Sequence, residues 1–242
     1  MGTVIAITSG KGGTGKTSIT GGIAASLSLM GRRVLCIDMD IGLRNLDISL
    51  GLSDRALMDF ADVTLGRCPL NRAAVEHPDL SGLCLLSAPM TMPAGLTPDA
   101  VRAMLREARA GYDYVLIDSA AGLGAGFQLA VCGADRALVI STNDASSLRD
   151  AQRTAAELDQ PAHLVMNRIQ TKLLRKLRTT IDDAMNAAGL PLIGVVPEDP
   201  QVTLCANLGR PLTTRGRRGA ALACWNIAQR LEGHRVPIMR IR

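Results

Sequence analysis

Gly10-Lys11-Gly12-Gly13-Thr14-Gly15-Lys16-Thr17 stands between an apolar run at 3–8 and a helical stretch at 16–30. The octet fits GxxxxGK[ST], and a strand before it with a helix after it is the setting that this spacing requires. Glycines let successive backbone N–H groups wrap phosphate oxygens, and the helix N-terminus adds positive potential. In that geometry Lys16 reaches the β- and γ-phosphates of ATP and the Thr17 hydroxyl ligates Mg²⁺. Gly10, Lys11, Gly12, Gly13, Thr14, Gly15 and Ser18 complete the expected phosphate cradle.

Working outward, short Val/Ile/Leu-rich runs recur at 33–38, 83–88, 112–118, 136–141, 162–166 and 192–196. Most are continuous rather than alternating, as expected of strands buried on both faces. Helical stretches at 98–110, 147–158, 172–188 and 217–231 lie between or after them. Strands alternating with helices predict an α/β fold: a doubly wound, mostly parallel sheet flanked by helices, of the P-loop NTPase kind. Right-handed crossovers place the strand C-termini on one edge, where ligands bind. Without a linker, repeat or low-complexity segment, the reading is one ATPase domain over 1–232 and a short basic, apolar tail over 233–242.

Composition narrows the functional classes. At 47% hydrophobic and 20% charged, the chain can bury a core and is not disordered. Aromatics make up 2%, too few for a protein that stacks single-stranded bases on aromatic platforms. The net charge of +5 suits an anionic partner without naming one. Of 27 basic residues 23 are Arg; the four Lys are Lys11, Lys16, Lys172 and Lys176. Two lysines inside one phosphate loop, against so strong an arginine bias, argue for function, because a slim ammonium enters a pocket that a planar guanidinium does not fit. Six scattered cysteines without a CxxC pair read as small hydrophobic residues of a reducing compartment. With no signal segment ahead of the first strand and no apolar run of about 20 residues, the expected location is cytoplasmic.

Carboxylates then fall where the chemistry needs them. The second strand ends in Asp38-Met39-Asp40, and an acid at the end of a central strand can hold Mg²⁺ or position the attacking water. The run 112–118 closes on Asp118, which beside a phosphate loop reads as the acid that holds Mg²⁺ through water. A non-catalytic scaffold has no need of Lys16, Thr17 and Asp118 together, and all three are present.

The extra lysine at position 11 makes the loop GKGGTGKT, which resembles the deviant Walker A form of the MinD/ParA family of ATPases. The resemblance implies that Lys11 crosses a dimer interface to the partner's phosphates, so that ATP joins two subunits. The segment DMDIGLRNLD, 38–47, is similar to switch I of the family's MinD branch, in which the second aspartate activates water; this assigns catalysis to Asp40 beside Lys11 and Lys16, and metal binding to Thr17, Asp40 and Asp118. Ser119-Ala120-Ala121-Gly122 resembles switch II, with Ala120 where the family has proline and Gly124 where an acid often stands. The patterns ADRA at 134–137 and SLRDA at 147–151 also match. By the same resemblance Asn167, Arg168, Pro197, Glu198 and Asp199 form the adenine side, an Asn amide offering both a donor and an acceptor to the base edge. The matches run from 2 to about 212 and are loosest over 52–100.

The implied function is ATP-driven homodimerisation and hydrolysis that switch localisation and partner binding in division-site placement, with a Min-type inhibitor or activator as partner. The branch ends in a basic amphipathic helix that binds anionic membrane weakly alone and usefully in pairs. Here the tail 235–242 is apolar and basic, short, and interrupted by Pro237; from 205 onward there are eight Arg against the single acid Glu232. Peripheral attachment at the inner face of the cell membrane is one expectation for it, a solvated tail the other. The arginine-rich end keeps an alternative open: a ParA-like partition ATPase whose ATP dimer binds DNA without sequence preference. In the basic run 172–178, Leu173, Leu174, Leu177 and Ile181 share one helical face and are expected to turn toward the sheet. The charges then form a solvated face, or a docking patch for an acidic partner or DNA.

Overall fold

The computed structural model describes residues 1–239. Eight strands form one sheet: β1 (Thr3–Thr8), β2 (Val34–Met39), β3 (Val75–Glu76), β4 (Leu83–Leu86), β5 (Tyr114–Ser119), β6 (Arg136–Ser141), β7 (Ala162–Ile169) and β8 (Leu192–Pro197). Their order is β3-β4-β2-β5-β1-β6-β7-β8. Every pairing is parallel except that of the two-residue β3 with β4. The helices are α1 (Lys16–Leu29), α2 (Leu46–Leu50), α3 (Phe60–Thr64), α4 (Leu70–Ala73), α5 (Pro98–Gly111), α6 (Ala125–Val131), α7 (Ala145–Ala156), α8 (Thr171–Leu177), α9 (Ile181–Ala188), α10 (Pro200–Asn207) and α11 (Gly219–Leu231), with a 3₁₀ turn at Leu212–Arg215.

The apolar runs are continuous because both faces of the central strands are covered: β2 is buried at every position, as is β5 after its first residue. One apolar layer joins α1 and α11 to the sheet through Ile5, Ile7, Ile23, Leu27, Cys224 and Ile227. The opposite face packs Leu35, Ile37, Val115 and Ile117 against Val101, Leu105 and Ala108 of α5. A third cluster lies under α7 and α9 around Val139, Leu164 and Met166. The winding reverses at β1, with β5 on one side and β6 on the other, so the crevice that a doubly wound sheet offers a ligand opens at the end of β1.

Two departures from the sequence expectation bear on function. The stretch 172–188 is not one helix. Thr180 forms a capping box with Asp183, and Arg178 adopts a left-handed conformation that ends α8 before α9 begins. Nor do the leucines of α8 turn inward together. Leu173 and Leu177 are exposed and no residue of α8 is fully buried. Only the half-buried Leu174, with Ile181 of α9, packs on the third cluster.

The tail is neither helix nor strand from Glu232 to Met239. Arg230 donates to the carbonyls of Ile193, Val236 and Pro237, and Met239 packs against the first apolar layer. The last residues of the expected basic tail, Arg240, Ile241 and Arg242, lie outside the described residues.

Candidate active site

The loop between β1 and α1 wraps a cleft of about 390 Å³, whose walls include Lys11, Thr14, Lys16, Thr17, Asp40 and Asn45, with Ala120, Ala121 and Arg168. Gly15 has φ +86, and a Cβ there would lie 2.4 Å from the Asn167 side chain; only glycine passes the chain through that point. Gly10 is pressed against α7, where a Cβ would meet the Asp150 carbonyl at 2.5 Å. The glycine spacing read from sequence thus serves the loop's fit against its neighbours as well as its openness to phosphate.

Beneath the loop, Lys16 and Asp118 are 7% and 0% exposed, with Nζ 3.8 Å from Oδ1. The Thr20 hydroxyl lies 3.1 Å from the same carboxylate oxygen and 3.1 Å from the Lys16 carbonyl. Burial pushes the Asp118 carboxyl above its ordinary value, and Lys16, Thr17 and Thr20 oppose that rise. Its other oxygen, Oδ2, is buried without a hydrogen-bond partner, as is the Thr14 hydroxyl. An orphaned carboxylate oxygen beneath the phosphate loop is a place for a metal-bound water, so the residues present fit a divalent cation. Among the described residues no three His, Cys, Asp or Glu side chains gather to hold a metal. A cation here would depend on the Thr17 hydroxyl and on nucleotide oxygens, with Asp118 acting through water.

Asp38 sits directly opposite Asp118 in the β2–β5 register. Burial, and then the Asp118 charge, raise its carboxyl to about 7. Its two oxygens accept from the backbone N–H groups of Asp40, at 2.9 Å, and Leu46, at 3.2 Å. Asp38 is therefore the staple of the 40–46 segment, and it leaves the half-buried Asp40 on the cleft wall. Gly122 of the 119–124 segment donates to the Ser9 carbonyl at 3.0 Å, tying that segment to the phosphate loop.

Lys11 does not project freely. Its Nζ donates to Asp144 Oδ1 at 3.1 Å and to Ser146 Oγ at 2.9 Å, at the N-terminus of α7. Partial burial would raise the Asp144 carboxyl, yet donors from Ser146, Thr142, the Ser147 N–H and Lys11 outweigh it and hold the group well below the usual carboxylate range.

A second, narrow cleft continues the first through the shared Gly15 and Arg168, and its walls include Ser18, Asn167, Pro197, Glu198 and Asp199. The β7–β8 register is irregular between Met166 and Ile169. At this bulge Asn167 is buried and donates Nδ2–H to the Thr14 carbonyl at 2.7 Å, while Arg168 has φ +55 and stands exposed. Asp199 is committed to structure: Oδ1 caps α10 through the Gln201 N–H, and Oδ2 accepts from the Ala220 N–H at the start of α11. All the residues expected on the adenine side do line one cleft. Sequence reasoning missed Thr20, whose signal was a hydroxyl one helical turn after Lys16 on a buried face. It also missed Asn45, Val202, Thr203 and Leu212 as walls, and for these no local pattern stood out.

Residues 5–212 match the family described as the CobQ/CobB/MinD/ParA nucleotide binding domain. The chain is 38% identical over 246 residues to the septum site-determining protein MinD of Bacillus subtilis, covering 98% of this chain and 92% of that one. Among solved structures, the MinC:MinD cell division protein complex of Aquifex aeolicus superposes with TM-score 0.90 at 35% identity, with 98% of each chain covered. The septum site-determining protein MinD of Pyrococcus horikoshii, complexed with Mg-ADP, gives TM-score 0.84 at 26% identity over 96% of each chain.

Proposed function

The chain belongs to the CobQ/CobB/MinD/ParA nucleotide-binding family, and from that premise we infer a MinD-like ATPase of division-site placement that pairs with itself on binding ATP and separates after hydrolysis. One observation carries the chemistry. The buried Lys16–Asp118–Thr20 group, with an orphaned acceptor, lies under a glycine loop that opens onto a cleft. Lys16 meets its carboxylate only at 3.8 Å, beyond hydrogen-bond length, so its ammonium N–H donors remain available to a triphosphate.

In this reading the backbone of Gly10 to Thr17 cradles the phosphates and Lys16 neutralises the β- and γ-oxygens. Thr17 and Asp118 hold Mg²⁺, which when bound would offset the charge that develops on the leaving phosphate. Asp40, carried on the segment that Asp38 staples, orients the attacking water and faces the metal side of the cleft. Asn167 has one amide N–H on the loop and the rest of its amide for the base, beside Arg168, Pro197 and Glu198. Asp199 shapes that cleft rather than reading the base, since both its oxygens are engaged.

Lys11 is the device that couples nucleotide to assembly: it would exchange its place on Asp144 and Ser146 for a phosphate oxygen of the opposing subunit. The Aquifex structure is a complex with MinC, and a Min-type division inhibitor or activator is the proposed partner here. No helix among the described residues is long and apolar enough to cross a membrane; the membrane contact proposed here is peripheral, at an anionic surface. The partition-type reading with DNA is set aside, because relatives 38% and 34% identical over 98% and 99% of this chain are septum site-determining proteins.

The test follows assembly and turnover together. With ATP and Mg²⁺ the protein should double its mass by light scattering, and with ADP it should not. Asp40→Ala should give a dimer that persists while phosphate release falls by roughly 10²-fold or more. Wild-type turnover by Asp40→Ala would remove that residue from catalysis, and an ATP-independent oligomeric state would remove the switch.

A further inference from the structure

We propose that α8 is a membrane-docking element, specific for anionic lipid, that acts in addition to the C-terminal tail. The inference deepens the peripheral-membrane part of the function proposed above and rests on it. Between residues 169 and 181 there are four cations, Lys172, Arg175, Lys176 and Arg178, and no acid. Among the described residues none of these four takes part in a salt bridge. In the midst of this charge Leu173 and Leu177 are 45% and 51% exposed. They are one helical turn apart and so share a face. Lys172 and Lys176 form the adjoining ridge and Arg175 lies on the opposite side. Leu174 alone is turned back onto the body and fixes the helix there.

This combination selects among partners. Cations by themselves suit a nucleic acid, but DNA offers nothing that rewards two protruding leucines, and the nearest Phe, Tyr or Trp residues in the sequence are Phe127 and Trp225. An apolar protein groove would accept the leucines and leave the surrounding cations to be desolvated. The interfacial zone of an anionic bilayer accepts both: leucines enter the acyl boundary while lysine and arginine stems snorkel to the headgroups. α8 leaves the sheet at the end of β7, two residues after Ile169, on the strand edge that carries the phosphate loop. The described part of the tail is tied down by Arg230 and Met239 and exposes only Ile238 among its large apolar residues.

The experiment is sedimentation of the full chain, in ATP, with vesicles of phosphatidylcholine containing phosphatidylglycerol, against pure phosphatidylcholine and against duplex DNA. Leu173→Ser/Leu177→Ser and Lys172→Gln/Lys176→Gln should each lower the partition onto anionic vesicles roughly thirtyfold. Ile238→Ser should reduce binding without abolishing it. Lipid-free ATP turnover of both α8 variants should match wild type, since these side chains are exposed and outside the cleft. Failure of the wild-type protein to bind any vesicle would overturn the membrane reading as a whole. Wild-type binding that both α8 variants retain would overturn the α8 assignment alone. Binding to DNA that the lysine variant loses and the leucine variant keeps, with no vesicle binding by any form, would make α8 a nucleic-acid contact instead.

Discussion

Replacing Thr20 by valine removes one of the polar groups that meet the Asp118 carboxylate, beside Lys16 and Thr17. Thr20 is fully buried and its hydroxyl lies 3.1 Å from Asp118 Oδ1. Valine keeps the volume and the β-branching, so neither a cavity nor a change in helix propensity enters. What is lost is a hydrogen bond to a charged acceptor, worth about 1.5–3 kcal/mol. The Lys16 carbonyl, also 3.1 Å from the hydroxyl, loses only a secondary contact. The carboxylate would then keep Lys16 at 3.8 Å and the neighbouring Thr17 hydroxyl, while Oδ2 lacks a partner. The expected destabilisation is about 2 kcal/mol, or roughly 4–8 °C in Tm for a chain of this size. Urea unfolding of the nucleotide-free protein reads it, with coincident fluorescence and circular dichroism transitions as the two-state check. Thr20→Ser keeps the hydroxyl and removes a methyl, costing about 1 kcal/mol. A valine variant within 0.5 kcal/mol of wild type, or one more stable than the serine variant, would refute the claim that this bond matters.

Three further substitutions probe the rest of the site. Lys16→Ala should abolish ATP binding, measured by titration calorimetry; retained affinity would move the phosphates out of the loop. Lys11→Ala should bind ATP yet stay monomeric by light scattering, and normal ATP-dependent pairing would sink the cross-interface role. Asn167→Ala removes the 2.7 Å bond to the Thr14 carbonyl and the amide proposed to meet the base; a lost hydrogen bond of about 1.4 kcal/mol to the nucleotide lowers affinity roughly tenfold. Unchanged affinity would assign that bond to folding alone.

Much of this architecture is written in local pattern. Strand, glycine loop and helix are consecutive in the chain, and the meaning of Gly15-Lys16-Thr17 follows from that order. The strands of a sheet covered on both faces are continuous apolar runs, so seven of the eight were visible; β3 has two residues and carries no pattern to find. The break between α8 and α9 did have a local signal, Thr180 three residues ahead of Asp183, but a helical count of leucines across 173–181 overrode it.

Sequence by itself therefore determined the phosphate loop, the class of fold and the residue types that can serve ATP, because each rests on neighbours within one or two turns of chain. Tertiary structure decided which groups meet: Lys11 with Asp144 across 133 residues, Thr20 with Asp118 across 98, Asn167 with Thr14 across 153. It also decided that Asp38 staples a segment, that Asp199 caps two helices, and that Leu173 and Leu177 face outward. Periodicity says which side chains share a face; what that face meets depends on the packing of elements far apart in the chain, and so do the partners of a buried charge.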